Sequence, residues 1–117
     1  IDFYVDILGF CLHARWHTGA YLSCGNLWYC LALGKAMPSQ DYSHLAFTIC
    51  KTDFKKMNDQ LRQFGVRCWQ ANQSEGESLY LLDPNGQKLE IHVGNLQTRL
   101  ESLKTMPYDG LEIHNNN

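Results

Sequence analysis

The alternation of apolar and polar residues predicts three short strands near the start of the chain. Three runs, FCLHARW, AYLSC and LWYCLAL, fill most of residues 10–33. A His-Thr-Gly turn separates the first two runs, and a Gly-Asn turn separates the next two. Connections this short join antiparallel neighbours. We therefore expect an antiparallel meander.

A helical pattern precedes this meander. One helix face is apolar, and Gly9 follows it at the position where a glycine commonly ends a helix. The residues on that face are Ile1, Tyr4, Val5 and Leu8. No N-cap residue stands before them. We interpret the segment as the second half of a helix whose first half is absent.

The second half of the chain predicts one strand, one helix and then three strands. A strand is expected at 43–50, after which Thr52 or Asp53 can cap the start of a helix. That helix would bury an apolar stripe and end at Gly65. The stripe consists of Phe54, Met57, Leu61 and Phe64.

Three further strands are expected at 66–70, 78–82 and 88–93, and an Asp-Pro-Asn-Gly turn joins the last two. A closing helix is expected over 95–105, because the proline that follows cannot continue it. We expect the tail at 115–117 to be disordered.

The two halves repeat one pattern, since helix–glycine–strand joints recur at ILGFCLHARW and LRQFGVRCW. The simplest description is a βαβββ unit used twice, with the first strand of the first unit missing. This predicts an α+β fold in which each sheet curls into half a barrel around a cup. We expect a single domain of 1–117, made of an incomplete unit at 1–34, a complete unit at 42–94 and a C-terminal helix and tail at 95–117.

Strand alternation separates the residues that face the helix from those that face the cup. The helix side is apolar and comprises Leu45, Phe47, Ile49, Leu79, Leu81, Leu89, Ile91 and Val93. The cup side is mostly polar and comprises His44, Ala46, Thr48, Ser78, Tyr80, Lys88, Glu90 and His92. A polar concave face with His, Glu and Tyr is suited to bind a small ligand.

Composition narrows the function classes. The chain has 117 residues, enough for one domain with a modest core, and its formal net charge is -2. This charge gives no basis for a nucleic acid or an anionic membrane as a partner, and no apolar run is long enough to span a bilayer. The five cysteines are odd in number and show no Cys-x-x-Cys spacing, which favours reduced thiols in a cytoplasmic protein.

Two cup residues are candidate metal ligands. His44 and Glu90 supply an imidazole and a carboxylate, a donor set that suits Mn²⁺ or Fe²⁺ better than a thiolate-binding metal. A site needs a third ligand, and His92 is either that ligand or a supporting polar contact. The alternative is that each side chain is an ordinary satisfied polar group in a wet cup.

Other features also bear on a ligand site. The loop at 72–78 offers carbonyls and hydroxyls around a glycine, and it could wrap a monovalent cation or a small anion, or simply be solvated. Arg99 on the closing helix can reach over the cup to hold a phosphonate or carboxylate, or can lie on the surface. Trp16, Tyr21 and Trp28 are either sheet-face aromatics or the wall of a channel for a peptide-like thiol.

Three runs of the sequence resemble one protein family: LHARWHTGAYLSCGNLW, DYSHLAFTI and NQSEGESLYLLDPNGQKLEIHVGNLQTRL. They are similar to the fosfomycin resistance glutathione transferases of the vicinal oxygen chelate superfamily, and the similarity extends over 1–110. The resemblance implies a vicinal oxygen chelate fold and a homodimer in which each active site uses both subunits. It also implies that Mn²⁺ acts as a Lewis acid while glutathione opens the epoxide of fosfomycin, with K⁺ as an activating ion.

The resemblance also implies which residues bind the two ions. The metal ligands within this sequence would be His44 and Glu90. The family's third ligand is a histidine on an Asn-His-Leu-Thr strand that this sequence does not contain. The K⁺ ligands would be Asn72, Ser74, Gly76 and Ser78.

For the substrates, the resemblance implies contacts from both halves of the chain. The phosphonate contacts would be Ser74, Tyr80 and Arg99, with Gln70 at the position of the family's lysine in a Trp-Lys-x-Asn run. Tyr42 and Arg99 would be catalytic. Trp16 and Tyr21 would lie near the glutathione channel.

Two other functions stay open on the sequence. One is a non-catalytic protein that keeps the fold and binds a small molecule in the cup. The other is a different vicinal oxygen chelate enzyme, such as a glyoxalase or a ring-cleaving dioxygenase. The loop at 72–78 and Arg99 argue against the second of these.

Overall fold

The computed structural model describes residues 1–72 and 76–114. It contains a π-helical segment (Phe3–Ile7), seven strands and two α-helices. The strands are β1 (Cys11–Trp16), β2 (Gly19–Cys24), β3 (Leu27–Ala32), β4 (Leu45–Ile49), β5 (Cys68–Gln70), β6 (Ser78–Leu82) and β7 (Lys88–Val93), and the helices are α1 (Lys51–Phe64) and α2 (Leu96–Thr105). The tail at 115–117, predicted to be disordered, lies outside the described residues.

The predicted first helix is present, but its buried face differs from the prediction. Its turns are wider than those of an α-helix, as the 3.0 Å bond from Leu8 N to Phe3 O shows. This changes which residues share a face, so Phe3 and Tyr4 are buried, whereas Ile1, Val5 and Leu8 are only partly buried. Gly9 ends the segment with a φ of +81°, as predicted.

The predicted antiparallel meander is confirmed. Strands β1, β2 and β3 form a three-stranded sheet in sequence order, joined by tight turns. The β1–β2 register shifts between Leu12 and Ala14, which marks a bulge at His13. The side chains of Ala20 and Leu22 of β2 are fully buried on the inner face of this sheet, so this face contributes to the core.

The second unit forms a complete βαβββ arrangement. Its four strands lie in the order β4-β7-β6-β5, and β4 runs parallel to β7. Helix α1 crosses between β4 and β5 and ends at Gly65, which has a φ of +85°. The predicted N-cap at Thr52 or Asp53 was wrong. Cys50 is the N-cap, and because the Asp53 N–H already bonds to the Cys50 carbonyl at 3.0 Å, both predicted residues lie inside the helix.

The core lies between α1, the π-helical segment and the inner faces of the sheets. Leu61 of α1 and the predicted strand residues Leu81 and Leu89 are inaccessible to solvent. Two predicted core residues are more exposed than expected. Leu45, the first residue of β4, is 37% exposed, and Phe64, the last residue of α1, is 52% exposed. No helix among the described residues is long and apolar enough to cross a membrane. All five cysteines are free thiols.

Candidate active site

Glu90 is the centre of the candidate site. It lies on β7 between Ala46 of β4 and Tyr80 of β6, and only 2% of its surface is exposed. Its Oε1 atom is 3.1 Å from Nε2 of His44. Its Oε2 atom accepts a bond from Arg99 at 3.0 Å. A buried carboxylate with partners on both oxygens is held in one orientation.

The orientation of His44 is fixed from the other side of its ring. Nδ1 is 3.0 Å from the carbonyl oxygen of Tyr42. A carbonyl oxygen only accepts, so Nδ1 carries the proton in this contact. In the neutral imidazole the lone pair of Nε2 then points at Oε1 of Glu90.

This pair of atoms suits a cation. Two acceptor atoms that face each other at 3.1 Å are stabilised by a proton or a metal ion between them. Imidazole nitrogen and carboxylate oxygen also match the preferences of Mn²⁺. Among the described residues no group of three or more His, Cys, Asp or Glu side chains is arranged to hold a metal. His44 and Glu90 therefore fit such an ion as two ligands, with the remaining positions left to water or substrate.

Arg99 reaches Glu90 from the first turns of α2. Gly94, with a φ of +122°, turns the chain after β7, and Asn95 starts the helix with a capping box that pairs it with Thr98. The Arg99 side chain is 25% exposed, so it lies at the edge of the site and not on the outer surface. The sequence allows Arg99 either over the cup or on the surface, and the contact with Glu90 corresponds to the first of these positions.

An aromatic cluster forms the wall beside His44. The centroid of the His44 ring lies 5.2 Å from that of Tyr42, 5.1 Å from that of Trp69 and 6.1 Å from that of Tyr80, and all three contacts are edge-on. The Trp69 indole N–H donates to the Leu89 carbonyl at 3.0 Å, which anchors the cluster to β7. The importance of Trp69 was missed from sequence.

The bulge in β5 explains why Trp69 was missed. The β5–β6 register shifts between Cys68 and Gln70, with Gln70 opposite Tyr80. Strict alternation cannot assign a face to the bulged residue between them. The one sequence signal for the position of Trp69 is that another aromatic residue, Tyr80, lies on the strand paired with β5.

Gln70 is placed beside Tyr42. Its Nε2 donates to the Tyr42 hydroxyl at 3.1 Å. Tyr42 is 61% exposed, so the phenol is accessible from solvent. The Tyr42 ring also contacts the ring of His44, so the two residues lie beside His44 at the exposed mouth of the site.

The loop predicted to bind K⁺ is only partly described. Asn72 donates to the Gly76 carbonyl at 2.8 Å, and Gly76 has a φ of +70°. Ser78 donates to Oε2 of Glu90 at 3.3 Å, which links the end of this loop to the centre of the site. Ser74, assigned to both the ion and the phosphonate, lies outside the described residues.

Trp16 and Tyr21 are on the other sheet. Tyr21 lies between Trp16 and Trp28, with ring centroids 4.8 and 5.1 Å away, and this group is referred to below as the aromatic ladder (Trp16, Tyr21, Trp28). The exposed fractions are 44%, 38% and 67%. These residues are therefore surface aromatics of the three-stranded sheet, and their neighbours differ from those of His44 and Glu90.

Comparisons with known proteins agree with this architecture. The model of the Glyoxalase/Bleomycin resistance protein/Dioxygenase superfamily matches residues 1–91. The structure is similar to the fosfomycin resistance protein FosX from Listeria monocytogenes complexed with Mn(II) and sulfate, with a TM-score of 0.72 over 86% of this chain and 82% of that one, at 24% identity. FosX from Mesorhizobium loti gives a TM-score of 0.70 at 22% identity, over 85% of this chain and 83% of that chain. These likenesses show the fold.

Sequence relatives narrow the family further. The chain is 49% identical to the glutathione transferase FosA of Serratia marcescens over 95% of this chain and 82% of the relative. It is 37% identical to the metallothiol transferase FosB of Lysinibacillus sphaericus over 89% of this chain and 79% of that one. With these matches added to the superfamily model and the fold, the chain belongs to the fosfomycin resistance thiol transferase family of the glyoxalase superfamily.

Proposed function

We propose that this protein is a metal-dependent transferase that joins the thiol of glutathione to fosfomycin. The observation that carries the proposal is the buried Glu90, which has His44 on one carboxylate oxygen and Arg99 on the other. The similarity to FosA and FosB adds the class of thiol and the class of reaction. In the reaction the thiolate sulfur forms a bond to an epoxide carbon, the C–O bond breaks, and the ring oxygen takes up a proton.

The proposed metal is Mn²⁺ held by His44 and Glu90. When bound, it supplies a Lewis acid for the epoxide and phosphonate oxygens. The protein's own contribution is to fix both ligands before the ion arrives. The Tyr42 carbonyl sets the ring of His44, and Ser78 and Arg99 set the carboxylate of Glu90.

Substrate binding is assigned to the residues around this pair. Arg99 offers a planar fork of donors that suits a phosphonate, and it is the described cation closest to the carboxylate of Glu90. Tyr80 packs beside His44 and Gln70 contacts Tyr42, which offers its exposed phenol to the thiol or the substrate. We assign Ser74 to the phosphonate and, with Asn72, Gly76 and Ser78, to an activating K⁺.

Glutathione would bind along the aromatic ladder. Trp16 and Tyr21 offer exposed aromatic faces, which suit the apolar parts of a tripeptide. As the family resemblance implies, we propose a homodimer in which one subunit provides the ladder and its partner provides the metal ligands; the ladder and Glu90 belong to different sheets of the chain. We further propose that it works in the cytoplasm, where glutathione is abundant and the five free thiols stay reduced.

The test is direct detection of the product. Purified protein is incubated with Mn²⁺, K⁺, glutathione and fosfomycin, and the adduct is measured by mass spectrometry. The proposal predicts an adduct that requires Mn²⁺ and is lost in the His44→Ala variant. If the wild-type protein binds Mn²⁺ but forms no adduct with any of several thiols, the transferase assignment is wrong.

A second candidate is a binding protein without turnover. The observation in its favour is that the described residues offer only two side-chain ligands to a metal, His44 and Glu90. Such a protein would bind fosfomycin or an inorganic phosphonate with Mn²⁺ present, and the ligand would be recovered unchanged. The same mass spectrometry experiment separates the two functions.

A further inference from the structure

His92 is buried beside the proposed metal ligand, and no part of the proposed reaction uses it. It lies on β7, two residues after Glu90, and is 5% exposed. It stands directly opposite Ser78 of β6 in the sheet register. Its Nδ1 atom is 2.5 Å from the Ser78 hydroxyl. A buried polar side chain with a bond this short is strongly constrained.

The direction of the hydrogen bonds follows from the number of protons. Ser78 has one hydroxyl proton, and it donates this proton to Oε2 of Glu90 at 3.3 Å. The bond between Ser78 and His92 must then be donated by Nδ1 of His92. The chain of donors runs from His92 to Ser78 to Glu90.

Two backbone segments hold the imidazole ring in place. A Cβ atom added at Gly94 would lie 3.1 Å from Nε2 of His92, and one added at Gly76 would lie 3.5 Å from its Cε1 atom. Both glycines have positive φ values, +122° and +70°. The ring is therefore packed between the end of the 72–78 loop and the turn that leads to α2.

The geometry excludes two other roles for His92. In a Ser-His-acid hydrolase the histidine stands between serine and carboxylate, whereas here Ser78 stands between His92 and Glu90. As a metal ligand, His92 would need Nδ1 or Nε2 directed at the gap between His44 and Glu90. Nδ1 instead contacts Ser78 and is 3.7 Å from Oε2, the carboxylate oxygen that does not face His44, and Nε2 lies against Gly94.

We infer that His92 is a positioning residue for Glu90. Through Ser78 it holds Oε2, so that Oε1 stays directed at His44 and ready to bind a cation. The inference rests on the proposed function to the extent that Glu90 is a metal ligand. It adds a residue that touches neither metal nor substrate and acts through two hydrogen bonds.

The test measures the affinity for Mn²⁺ alone, with no substrate and no turnover. Titration calorimetry or electron paramagnetic resonance of free Mn²⁺ gives the dissociation constant for the wild type and for His92→Phe and His92→Asn. Phenylalanine keeps a ring without a donor, and asparagine restores an N–H near the position of Nδ1. We expect His92→Phe to weaken Mn²⁺ binding by about 10- to 100-fold, as is typical for residues that orient a ligand, and His92→Asn to recover most of the affinity.

The chain offers a matched control. His13 makes the same kind of contact in the three-stranded sheet, with Nε2 2.6 Å from the Ser23 hydroxyl. His13→Phe should leave the Mn²⁺ affinity unchanged. An equal loss in His13→Phe would show a general effect of removing a cross-strand His–Ser pair and would overturn the inference.

A double-mutant cycle covers the case in which His92→Phe folds poorly. Ser78→Ala removes a smaller group, and it should weaken Mn²⁺ binding as much as His92→Phe does. The double variant should be no weaker than Ser78→Ala alone, since both changes break one chain of bonds. Additive losses, or wild-type affinity in either single variant, would overturn the role of His92. A wild-type protein that binds no Mn²⁺ would instead overturn the proposed metal site, so the two failures are distinguishable.

Discussion

The hydroxyl of Tyr4 donates a hydrogen bond of 2.6 Å to Oδ2 of Asp83, and both side chains are buried. Tyr4 belongs to the π-helical segment, and Asp83 opens the turn between β6 and β7. The other carboxylate oxygen accepts bonds from the N–H groups of Asn85 and Gln87, both at 2.9 Å. The pair therefore ties the first unit of the fold to the turn that leads into β7, the strand of Glu90.

Replacing Tyr4 with phenylalanine should destabilise the fold. The change leaves Oδ2 of buried Asp83 without this donor, which typically costs about 1–3 kcal/mol in the free energy of unfolding. Urea unfolding followed by circular dichroism measures the effect. Tyr29→Phe is the matched control, because its hydroxyl is 3.2 Å from that of Tyr4 and its loss keeps the bond to Asp83. Equal stability of the two variants would contradict the importance of the Tyr4–Asp83 bond.

The same tyrosine should make stability fall in alkaline solution. Burial raises the pKa of Tyr4, and its hydrogen bonds to Asp83 and Tyr29 raise it further. In the unfolded chain the phenol ionises near pH 10, so above that pH the folded state binds one more proton than the unfolded state. The free energy of unfolding should therefore decline above about pH 10, by up to about 1.4 kcal/mol per pH unit from this group. Tyr4→Phe should show a shallower decline than Tyr29→Phe, and identical slopes would contradict the prediction.

Strand alternation predicted the centre of the site because it depends only on the backbone. It placed Leu89 and Ile91 in the core and Glu90 on the opposite face with His44, as the structure has them. The alternation could not show that Glu90 is shielded from water on this face. The buried carboxylate of Glu90 is surrounded by His44, Ser78 and Arg99, and His44 lies 46 positions away in the sequence.

Other features depend on contacts or backbone irregularities that alternation does not encode. The bond between Tyr4 and Asp83 joins residues 79 positions apart. The bulge that turns Trp69 toward His44 follows from the pairing of β5 with β6. The π-helical turns changed the buried face of the first helix, since the expected spacing was that of an α-helix. Contacts between separate segments decide the first two features, and a local backbone irregularity decides the third.

Neutralising Glu90 should abolish the proposed metal site. Glu90→Gln keeps the shape of the side chain but removes the charge that attracts a cation and binds Arg99. We expect Mn²⁺ affinity and adduct formation to fall by at least about 100-fold, more than for a residue that only orients a ligand. Calorimetry and mass spectrometry measure the two effects. Glu101→Gln is the control, because Glu101 is exposed and pairs only with groups on α2 in the described structure; a similar loss there would refute the assignment.

Adding a methyl group at Gly19 should disturb the aromatic ladder. A Cβ atom there would lie 2.6 Å from Cζ2 of Trp16 and 2.8 Å from the Leu31 carbonyl oxygen, so both the indole and the backbone of β3 must move. We expect Gly19→Ala to raise KM for glutathione while KM for fosfomycin changes little. Steady-state kinetics with each substrate varied in turn measures this. Gly34→Ala is the control, since nothing lies within 4 Å of its added Cβ. An unchanged KM for glutathione in Gly19→Ala would contradict the assignment of Trp16 to glutathione binding.

Replacing Gln70 with lysine should improve fosfomycin binding. The neutral amide that contacts Tyr42 would become a positive charge at the mouth of the site. One charge-assisted contact to the phosphonate should raise kcat/KM for fosfomycin by about tenfold, equivalent to about 1.4 kcal/mol. Gln63→Lys adds the same charge on the exposed side of α1 and should have no effect. An equal gain in both variants would indicate a general charge effect instead of a contact.

Mixing two inactive variants tests whether the active site is shared between subunits. Trp16→Ala damages the ladder and Glu90→Gln damages the proposed metal site, and the two belong to different sheets. If a site uses Trp16 of one subunit and Glu90 of its partner, a hybrid dimer contains one intact site and one doubly damaged site. Co-expression with two affinity tags isolates this hybrid.

The expected outcome is a clear recovery of adduct formation. A pure hybrid should have about half the activity of the wild type, and a random mixture of subunits about a quarter, since half of its dimers are hybrid. Each variant alone should stay inactive while unfolding at a temperature close to that of the wild type. If each site were built from a single chain, every site in the hybrid would still carry one of the two substitutions. Activity would then stay at the level of the single variants, and the shared site would be refuted.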